Sequence, residues 1–581
     1  MSTSSEFEIL RSLVIASIEG AMEALPRLPL SLILPAATAL LAYLDARFQL
    51  SYDLALLSPF ISGNIRLGLR ERKDRCNLFY LLESHALHKT TSRRPWIMYE
   101  GRSWSYKESY DIILRYGQWL KNELGVKKGE IVALDCMNSP QFVWVWLGLW
   151  SIGAKPAFIN YNLGGESLVH CVRVSTARII LVDEEVRQSF TEDVVGKLGA
   201  ETVFLTEVVL KRVEAFPSIR EPDEIRSGPK MQDMAILIYT SGTTGLPKPG
   251  VVSWGKANLA GFFVSTWLPL KADDRFYTCM PLYHTSAAVL GVCGTITGGS
   301  TLVIGHKFST KTFWQDVKRH DATIIQYVGE MCRYLLAAPP APLVTLENGQ
   351  VVDPDKQHKV RIAFGNGLRP DVWKRFQERF GIDTVGEIYA STEGPSLMSN
   401  RGRGDFARGA VGRNGALSWL LVGPQVSVVK VNMETQMPWR DPATGLCERV
   451  YAETTGELLY KLDPADIKKK FQGYFGNKEA SDKKIIRDVH IKGDAYFRSG
   501  DLLCYDNDYR WFFSDRLGDT FRWKSENVST AEVAGVVGLH PAVQDANVYG
   551  VQLPNHDGRA GCAAVVLNEG KEMGPELRRT L

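Results

Sequence analysis

Residues 239–250 read YTSGTTGLPKPG, a stretch rich in glycine, proline and hydroxyl side chains. Glycine lets backbone N–H groups approach a ligand closely, hydroxyl groups add hydrogen-bond donors, and Lys248 supplies a positive charge. Two residues separate Gly245 from Lys248, so the spacing differs from that of the common P-loop. The apolar run before it, residues 234–238, is typical of a buried strand, and ligands bind at strand ends in open α/β sheets. The stretch therefore predicts a phosphate-binding loop, with a flexible surface turn as the alternative.

Helix-like and strand-like segments alternate on both sides of this loop. Such alternation favours an α/β fold with a largely parallel sheet. At 581 residues and 45% hydrophobic composition, the chain is long enough for two or more domains. A polar, proline-bearing stretch at 339–359 indicates an exposed insertion. Helices are predicted at 105–124, 142–154 and 256–268, and strands at 129–136, 177–183, 275–283 and 300–305.

The charge and the cysteine spacing give no support for a nucleic-acid-binding protein, a disulfide scaffold or a zinc protein. The 68 Lys+Arg and 65 Asp+Glu residues give a net charge of +3, which offers no argument for nucleic acid as a partner. The nine cysteines form no C-x-x-C pair, which fits neither a disulfide scaffold nor a zinc site.

The N-terminal region has a different character from the rest of the chain. Residues 28–44, LPLSLILPAATALLAYL, carry no charge, which is near the minimum length of a membrane-spanning helix. An interfacial or buried helix is the alternative. The basic stretch IRLGLRERKDR at 65–75 suits anionic headgroups. We therefore expect residues 1–60 to form a membrane-attachment segment separate from the body.

Four further stretches have the character of ligand contacts. Each alone is weak, because isolated S-T-E or G-D sequences are usually turns or helix caps. Their order and spacing along the chain predict one shared ligand. The stretches are AFGNGLRP (363–370), GEIYASTEG (386–394), YFRSGDLL (496–503) and SDRLGDTFRWKSENVST (514–530).

Together with the opening loop, these stretches resemble the adenylate-forming, or AMP-binding, superfamily. The similarity is greatest to the fatty acid transport proteins, also called very-long-chain acyl-CoA synthetases, and covers roughly residues 76–570. Distinctive phrases of that branch lie at 280–291, 326–336, 364–376 and 518–530. The resemblance implies a large adenylate-forming domain at 61–516 and a small α+β C-terminal domain at 517–581. It also implies an N-terminal membrane helix.

The resemblance also implies a reaction in two halves. ATP and a long or very-long-chain fatty acid give an acyl-adenylate, and CoA then displaces AMP. A carboxylate that attacks the α-phosphate is repelled by the phosphate charges, so the site must neutralise these charges and align the attack. This explains why the motifs contain lysine, hydroxyl side chains and glycine. The β- and γ-phosphates would be wrapped by Thr240, Ser241, Gly242, Thr243, Thr244, Gly245 and Lys248, next to Tyr239. Thr392 would bind the α-phosphate and Glu393 would hold Mg²⁺.

The remaining implied roles concern the nucleoside, the acyl chain and domain motion. Gly365, Asn366 and Gly367 would form the adenine slot with Tyr389 stacking, and Asp501 and Arg516 would lie at the ribose. Ala390 and Ser391 would also bind the nucleotide. His284 would lie at the mouth of the acyl pocket, with a packing role as the alternative. The stretch 287–292 could line the acyl channel or be helix core. Gly518 would be the hinge of the small domain.

In this superfamily the small domain carries a lysine near its end that drives adenylation. The sequence stops at Leu581, before such a position, so a truncated small domain is expected. If the chain ends there, adenylation should be slowed; a truncated gene model is the alternative. Alternatives to the enzyme are an impaired relative acting in fatty acid transport or binding, and an acyl-adenylate donor to a carrier protein. The expected partners are fatty acid, ATP, CoA and membrane lipids. The expected location is the endoplasmic reticulum, peroxisome, lipid droplet or plasma membrane, with the body on the cytosolic side.

Overall fold

The computed structural model describes residues 30–240, 246–395, 397–523, 526–553, 559–568 and 570–580. Two largely parallel sheets form its body. The first has eight strands, of which the two edge strands are antiparallel. In spatial order they are β16 (Leu397–Gly402), β15 (Thr384–Ala390), β14 (Ile362–Asn366), β11 (Ile324–Val328), β9 (Arg275–Thr278), β10 (Thr301–Ile304), β1 (Pro95–Tyr99) and β2 (Arg102–Ser105).

The second sheet has six strands and ends in an antiparallel pair, β7 (Met234–Thr240) and β8 (Lys248–Ser253), which stand on either side of the opening loop. The predicted strands at 129–136, 177–183 and 300–305 are confirmed as β3 (Ile131–Asp135), β5 (Ile179–Val182) and β10. Of the strand predicted at 275–283, only the first four residues form a strand, β9. In spatial order the strands of the second sheet are β6 (Glu201–Phe204), β5 (Ile179–Val182), β3 (Ile131–Asp135), β4 (Lys155–Phe158), β7 (Met234–Thr240) and β8 (Lys248–Ser253).

Helices cover these sheets, and local sequence explains where they begin. Ser105 and Glu108 form a capping box at the start of the helix Tyr106–Asn122, which confirms the prediction for 105–124. Ser139 is a simple N-cap of the apolar helix Pro140–Ser151, its side chain accepting a hydrogen bond from the Phe142 N–H. The helices of the body are α3 (Phe79–Leu87), α4 (Tyr106–Asn122), α5 (Pro140–Ser151), α6 (Gly165–Ser175), α7 (Glu192–Leu198), α8 (Glu207–Ala215), α9 (Trp254–Trp267), α10 (Cys293–Gly298), α11 (Phe313–Arg319), α12 (Gly329–Ala337), α13 (Pro370–Phe380), α14 (Ala416–Val422) and α15 (Lys478–Asp482).

A third, antiparallel sheet follows, and the chain ends in smaller elements. The stretch 339–359 contains only short elements and is largely exposed, as predicted. The third sheet consists of β17 (Gly412–Arg413), β18 (Val426–Val429), β21 (Gly456–Leu462), β22 (Ile485–Arg487), β23 (Ala495–Tyr505) and β24 (Arg510–Arg516). Three short pairs are β12–β13 (Val344–Thr345, Val351–Val352), β19–β20 (Val431–Asn432, Met437–Pro438) and β25–β26 (Phe521–Trp523, Glu526–Val528). The last elements are α16 (Thr530–Gly538), the pair β27–β28 (Val543–Gln552, Arg559–Leu567) and α17 (Pro575–Thr580).

Two helices precede the body: α1 (Leu30–Phe48) and α2 (Leu50–Arg72). The helix α2 packs along α9, and Gly63 permits this approach, because a Cβ there would lie 2.9 Å from the Phe262 ring. The same helix runs without interruption through residue 60, where we expected a separate attachment segment to end. Among the helices of the described residues, none is both long and apolar enough to cross a membrane. The membrane helix predicted at 28–44 is therefore not confirmed.

Candidate active site

A cavity of about 2860 Å³ lies where the three sheets and the C-terminal elements meet. The residues predicted to bind ligand come from distant parts of the sequence, and the structure brings them to this one cavity. Ser241, Gly242, Thr243, Thr244 and Gly245 lie outside the described residues. The predicted residues that line the cavity are Tyr239, Thr240, Lys248, His284, Gly365, Asn366, Gly367, Tyr389, Ala390, Ser391, Thr392, Glu393, Asp501, Arg516 and Gly518.

The hairpin β7–β8 fixes both ends of the opening loop. Thr240 and Lys248 are paired across the two antiparallel strands, so the loop between them starts and ends at the same point of the cavity wall. The Lys248 Nζ lies 5.8 Å from the centre of the Tyr474 ring. A cation is thereby held at the base of the loop, where phosphate charge would need to be neutralised.

Thr392 and Glu393 follow the end of β15 and have defined partners. The Thr392 and Thr285 hydroxyl oxygens lie 2.8 Å apart. The Tyr474 hydroxyl donates to Glu393 Oε1 at 2.7 Å, and Lys484 Nζ lies 3.8 Å from the same oxygen. The carboxylate of Glu393 is therefore held in one orientation at the cavity wall.

The predicted adenine slot stands on a buried carboxylate that the sequence reasoning did not single out. Glu387 accepts hydrogen bonds from the Tyr327 hydroxyl at 2.6 Å and from the Leu368 N–H at 3.0 Å. Burial raises the pKa of Glu387 to about 7. Gly367 has a φ of +75°, a conformation that favours glycine. Glu387 thus positions the loop that begins at Asn366.

Asp501 and Arg516 face each other on neighbouring strands, β23 and β24. The Tyr389 hydroxyl donates to Asp501 Oδ2 at 2.6 Å, and Arg516 Nε lies 3.6 Å from Oδ1. Burial raises the pKa of the Asp501 carboxyl. After β24 the chain turns through Gly518, with the Asp519 N–H donating to the Arg516 carbonyl at 3.1 Å.

A second lysine, which the sequence reasoning missed, lies beside Glu393. The Ser253 side chain caps α9, which places Lys256 in the first helical turn. The Lys256 Nζ donates to the Glu393 carbonyl oxygen at 2.8 Å, and burial lowers the pKa of Lys256 to about 8. A lysine ammonium group beside Glu393 at the cavity wall can attract a substrate carboxylate. Its only signal in the sequence is its position three residues after a Ser N-cap.

One wing of the cavity is apolar. Its walls include Leu259, Ala260 and Phe263 of α9 and Leu57 and Phe60 of α2. On α9 the lining positions recur at helical spacing after Lys256, so they form one continuous stripe. Lys256 and this apolar stripe therefore line the same cavity.

His284 and the stretch 287–292 behave differently from each other. His284 lines the cavity, its ring lies 4.5 Å from the Tyr283 ring, and burial lowers its pKa. Within the stretch, Val289 and Leu290 line the cavity, whereas Ala287 is fully buried in the core. Part of this stretch is therefore core, and whether Val289 and Leu290 contact an acyl chain stays a prediction.

Solved structures show the same fold. The anthranilate CoA ligase AuaEII in complex with anthranoyl-AMP matches with a TM-score of 0.68 at 21% identity, over 87% of this chain and 89% of that protein. The O-succinylbenzoate coenzyme A synthetase of Bacillus subtilis, solved with ATP and a magnesium ion, gives a TM-score of 0.65 at 21% identity. That match covers 86% of this chain and 91% of that protein. Both matches show that the chain shares its α/β fold with these proteins over most of its length.

The chain belongs to the AMP-binding enzyme family, whose sequence profile matches residues 83–460. It is 38% identical over 539 residues to the very long-chain fatty acid transport protein of Cochliobolus heterostrophus, covering 92% of this chain and 81% of that protein. It is 38% identical over 525 residues to long-chain fatty acid transport protein 2 of Rattus norvegicus, covering 88% and 80%. It is also 38% identical over 540 residues to isopenicillin N epimerase component 1 of Hapsidospora chrysogena, covering 92% and 80%. These relatives support the branch predicted from the motifs, that of the fatty acid transport proteins.

Proposed function

We propose that the protein is an ATP-dependent ligase that activates long or very-long-chain fatty acids to acyl-CoA through an acyl-adenylate, coupled to fatty acid uptake. One observation carries this proposal: a single cavity joins a nucleotide-type wall to an apolar wing, with Lys256 and Glu393 at the junction. An acyl carboxylate placed at this junction would lie beside the phosphate-binding residues. Attack on a phosphate needs this juxtaposition.

The residue roles follow from the same arrangement. Thr240 and Lys248 at the base of the hairpin would hold the β- and γ-phosphates, and Thr392 would donate to the α-phosphate. Asp501 would accept the ribose hydroxyl protons, with Arg516 in support. Gly518, at the turn after β24, would act as the hinge between the two half-reactions.

The residues present also fit a magnesium ion bound together with ATP. Within the described ranges, no group of three or more His, Cys, Asp or Glu side chains could hold a metal by itself. Mg²⁺ commonly binds through one or two carboxylates plus substrate phosphates, and Glu393 offers such a carboxylate. Bound there, the ion would reduce the negative charge that repels the attacking carboxylate.

The names of the relatives do not identify which carboxylic acid this chain would activate. Identity of 38% is shared with proteins named as fatty acid transport proteins and with one named as an epimerase component. The apolar wing along α9 and α2 favours a fatty acid, because a polar acid would leave its own groups unpaired there. We extend the proposal to membrane lipids as the partner that supplies the acid.

The test measures pyrophosphate release and thioester formation by the purified chain, with medium, long and very-long-chain acids, with and without CoA. The Lys248→Ala variant should lower pyrophosphate release by about 100-fold. Lys478→Ala, which removes a lysine whose side chain is 87% exposed, is the matched control and should change little. Pyrophosphate release without thioester formation would favour an acyl-adenylate donor to a carrier protein. Absence of pyrophosphate with every acid, unchanged in Lys248→Ala, would leave only a transport or binding role.

A further inference from the structure

Lys484 lies at the cavity wall, close to the segments that carry Glu393 and Asp501. It stands between α15 and β22, and its side chain is 27% exposed and lines the cavity. Its Nζ donates a hydrogen bond to the Ser499 carbonyl oxygen at 3.2 Å and lies 5.5 Å from the centre of the Phe497 ring. The ammonium group is therefore held against β23, the strand that carries Asp501.

The same ammonium group also lies close to Glu393. The Lys484 Nζ is 3.8 Å from Glu393 Oε1, which is beyond hydrogen-bond distance. A Cβ at Gly500 would lie 3.9 Å from the Nζ, so the ammonium group stands over the residue next to Asp501. Glu393 and Asp501 are the residues proposed for the phosphate and ribose ends of the nucleotide. Lys484 thus lies where these two ends would join.

Two of the three donors of Lys484 are available to a ligand. An ammonium group has three N–H donors. In the part of the chain that the structure describes, one of them has a hydrogen-bond acceptor, the Ser499 carbonyl. Glu393 already accepts a hydrogen bond from the Tyr474 hydroxyl, so its carboxylate does not depend on Lys484 for a partner. The remaining donors can therefore bind an anionic group in the cavity.

The connectivity of a nucleotide indicates which anionic group this is. The α-phosphate is bonded to the ribose, and it is the one phosphate that remains in an acyl-adenylate. A ribose at Asp501 and a phosphate at Thr392 would therefore place the α-phosphate beside Lys484. The β- and γ-phosphates are proposed to lie elsewhere, with Thr240 and Lys248 at the base of the hairpin.

We propose that Lys484 is a catalytic residue of both half-reactions, and that its ammonium group binds a non-bridging oxygen of the α-phosphate in each. The inference rests on the proposed function for the identity of the nucleotide. In the first half-reaction, a carboxylate oxygen of the acid bonds to the α-phosphorus, the bond to the β-phosphate oxygen breaks, and pyrophosphate leaves with the electron pair.

In the second half-reaction, the CoA thiol gives its proton to solvent and its sulfur bonds to the acyl carbon. The bond from that carbon to the phosphate oxygen breaks, and AMP leaves with the electron pair. Negative charge lies on the α-phosphate oxygens in the first transition state and grows there in the second. A cation already in position, as Lys484 is, stabilises this charge in both.

The first test measures binding, which needs no turnover. The affinities of the full chain for AMP and for adenosine are measured by calorimetry, because only AMP carries the α-phosphate. Lys484→Met should weaken AMP binding by about ten-fold or more and leave adenosine binding within about two-fold of wild type. Lys478→Met, at a lysine whose side chain is 87% exposed, is the matched control and should bind both ligands as wild type does.

The second test supplies the two half-reactions separately. Pyrophosphate release is measured with ATP and acid, and thioester formation is measured from a prepared acyl-adenylate and CoA without ATP. Lys484→Met should slow both by about ten-fold or more. Lys248→Ala should slow only the first, because the β- and γ-phosphates are absent from the second.

Unchanged AMP affinity in Lys484→Met would overturn the inference. An equal loss of affinity for AMP and adenosine would also overturn it, because such a loss indicates a distorted site without a phosphate contact. So would a wild type that binds AMP no more tightly than adenosine, or a Lys484→Met variant that slows pyrophosphate release alone. If the wild type binds AMP but activates no acid, the proposed function fails, whereas the comparison of AMP with adenosine still tests Lys484.

Discussion

Lys256 is the residue whose chemistry depends most on its surroundings. Lysine ordinarily keeps its charge well beyond neutral pH, but burial lowers the pKa of this side chain to about 8. Its hydrogen bond to the Glu393 carbonyl orients the ammonium group without neutralising it. The charge is therefore present below about pH 8 and is lost as pH rises through that value.

We expect Lys256→Met to raise the KM for the acid by about ten-fold or more at neutral pH, because a charge-assisted contact is worth roughly 1.5–3 kcal/mol. The KM of the wild type should also rise as pH passes about 8, whereas Lys256→Arg, which stays protonated, should show no such rise. Steady-state kinetics across this pH range, with the KM for ATP as the internal control, provide the measurement. Identical pH profiles for wild type and Lys256→Met would show that Lys256 does not contact the carboxylate.

At the same scale, the sequence identified residues within motifs and missed the residues that support them. Thr392, Glu393 and Asp501 stand in recognisable phrases, and the structure places them at the cavity. Tyr474 lies 81 residues from Glu393, the carboxylate it contacts, so no local pattern could connect the two. Glu387 stands inside a quoted motif, but its role depends on burial that only the folded sheet shows.

At the scale of elements, periodicity and caps predicted the helices and strands of the body. The capping box of α4 and the apolar runs of β3 and β5 are local signals, and local signals survive folding here. The position of α2 could not be predicted, because its partners in α9 and α14 are far away in sequence. Its basic and apolar composition fits a membrane surface and a packed helix equally well.

The contact between α2 and α14 predicts a large effect of a single substitution. Asp53→Ala removes the acceptor of three N–H groups at the N-terminus of α14, two of them buried, so it should lower the free energy of unfolding by about 2 kcal/mol or more. Asp111→Ala removes the same charge from an exposed ion pair with Lys107 and should change it by less than about 1 kcal/mol. Chemical denaturation of both variants compares the two effects. Equal free energies of unfolding for the two variants would show that the Asp53 hydrogen bonds do not stabilise the contact between α2 and α14.

At the scale of the whole molecule, polar contacts join the C-terminal elements to the body in the part of the chain that the structure describes. Arg333 of α12 pairs with Asp545 of β27 at 2.8 Å, and Arg369 donates to the Gly535 carbonyl of α16 at 3.0 Å. Polar contacts of this kind can be broken and remade at small energetic cost. Such an interface is compatible with the proposed movement of the C-terminal elements about Gly518.

Asp545→Asn should weaken this interface without unfolding either part. We expect amide hydrogen exchange in α16 to become several-fold faster, while exchange in the buried strand β3 stays unchanged. Glu572→Gln, at an exposed position in the same C-terminal region, serves as the control for loss of a charge. Faster exchange throughout the chain would mean that the substitution destabilises the whole fold instead.

The hydrogen bonds between Asp53 and the N-terminus of α14 also bear on how the chain folds during translation. Asp53 is translated 362 residues before Gly415, the first residue that it caps. At roughly 5–20 residues per second, this interval is on the order of 20–70 s. During that time the Asp53 carboxylate lacks the N–H groups that it caps in the folded protein, and α2 has no contact with α14. A nascent chain in this state presents an unfinished apolar helix, so its first encounter with lipid or a chaperone can precede completion of the active site.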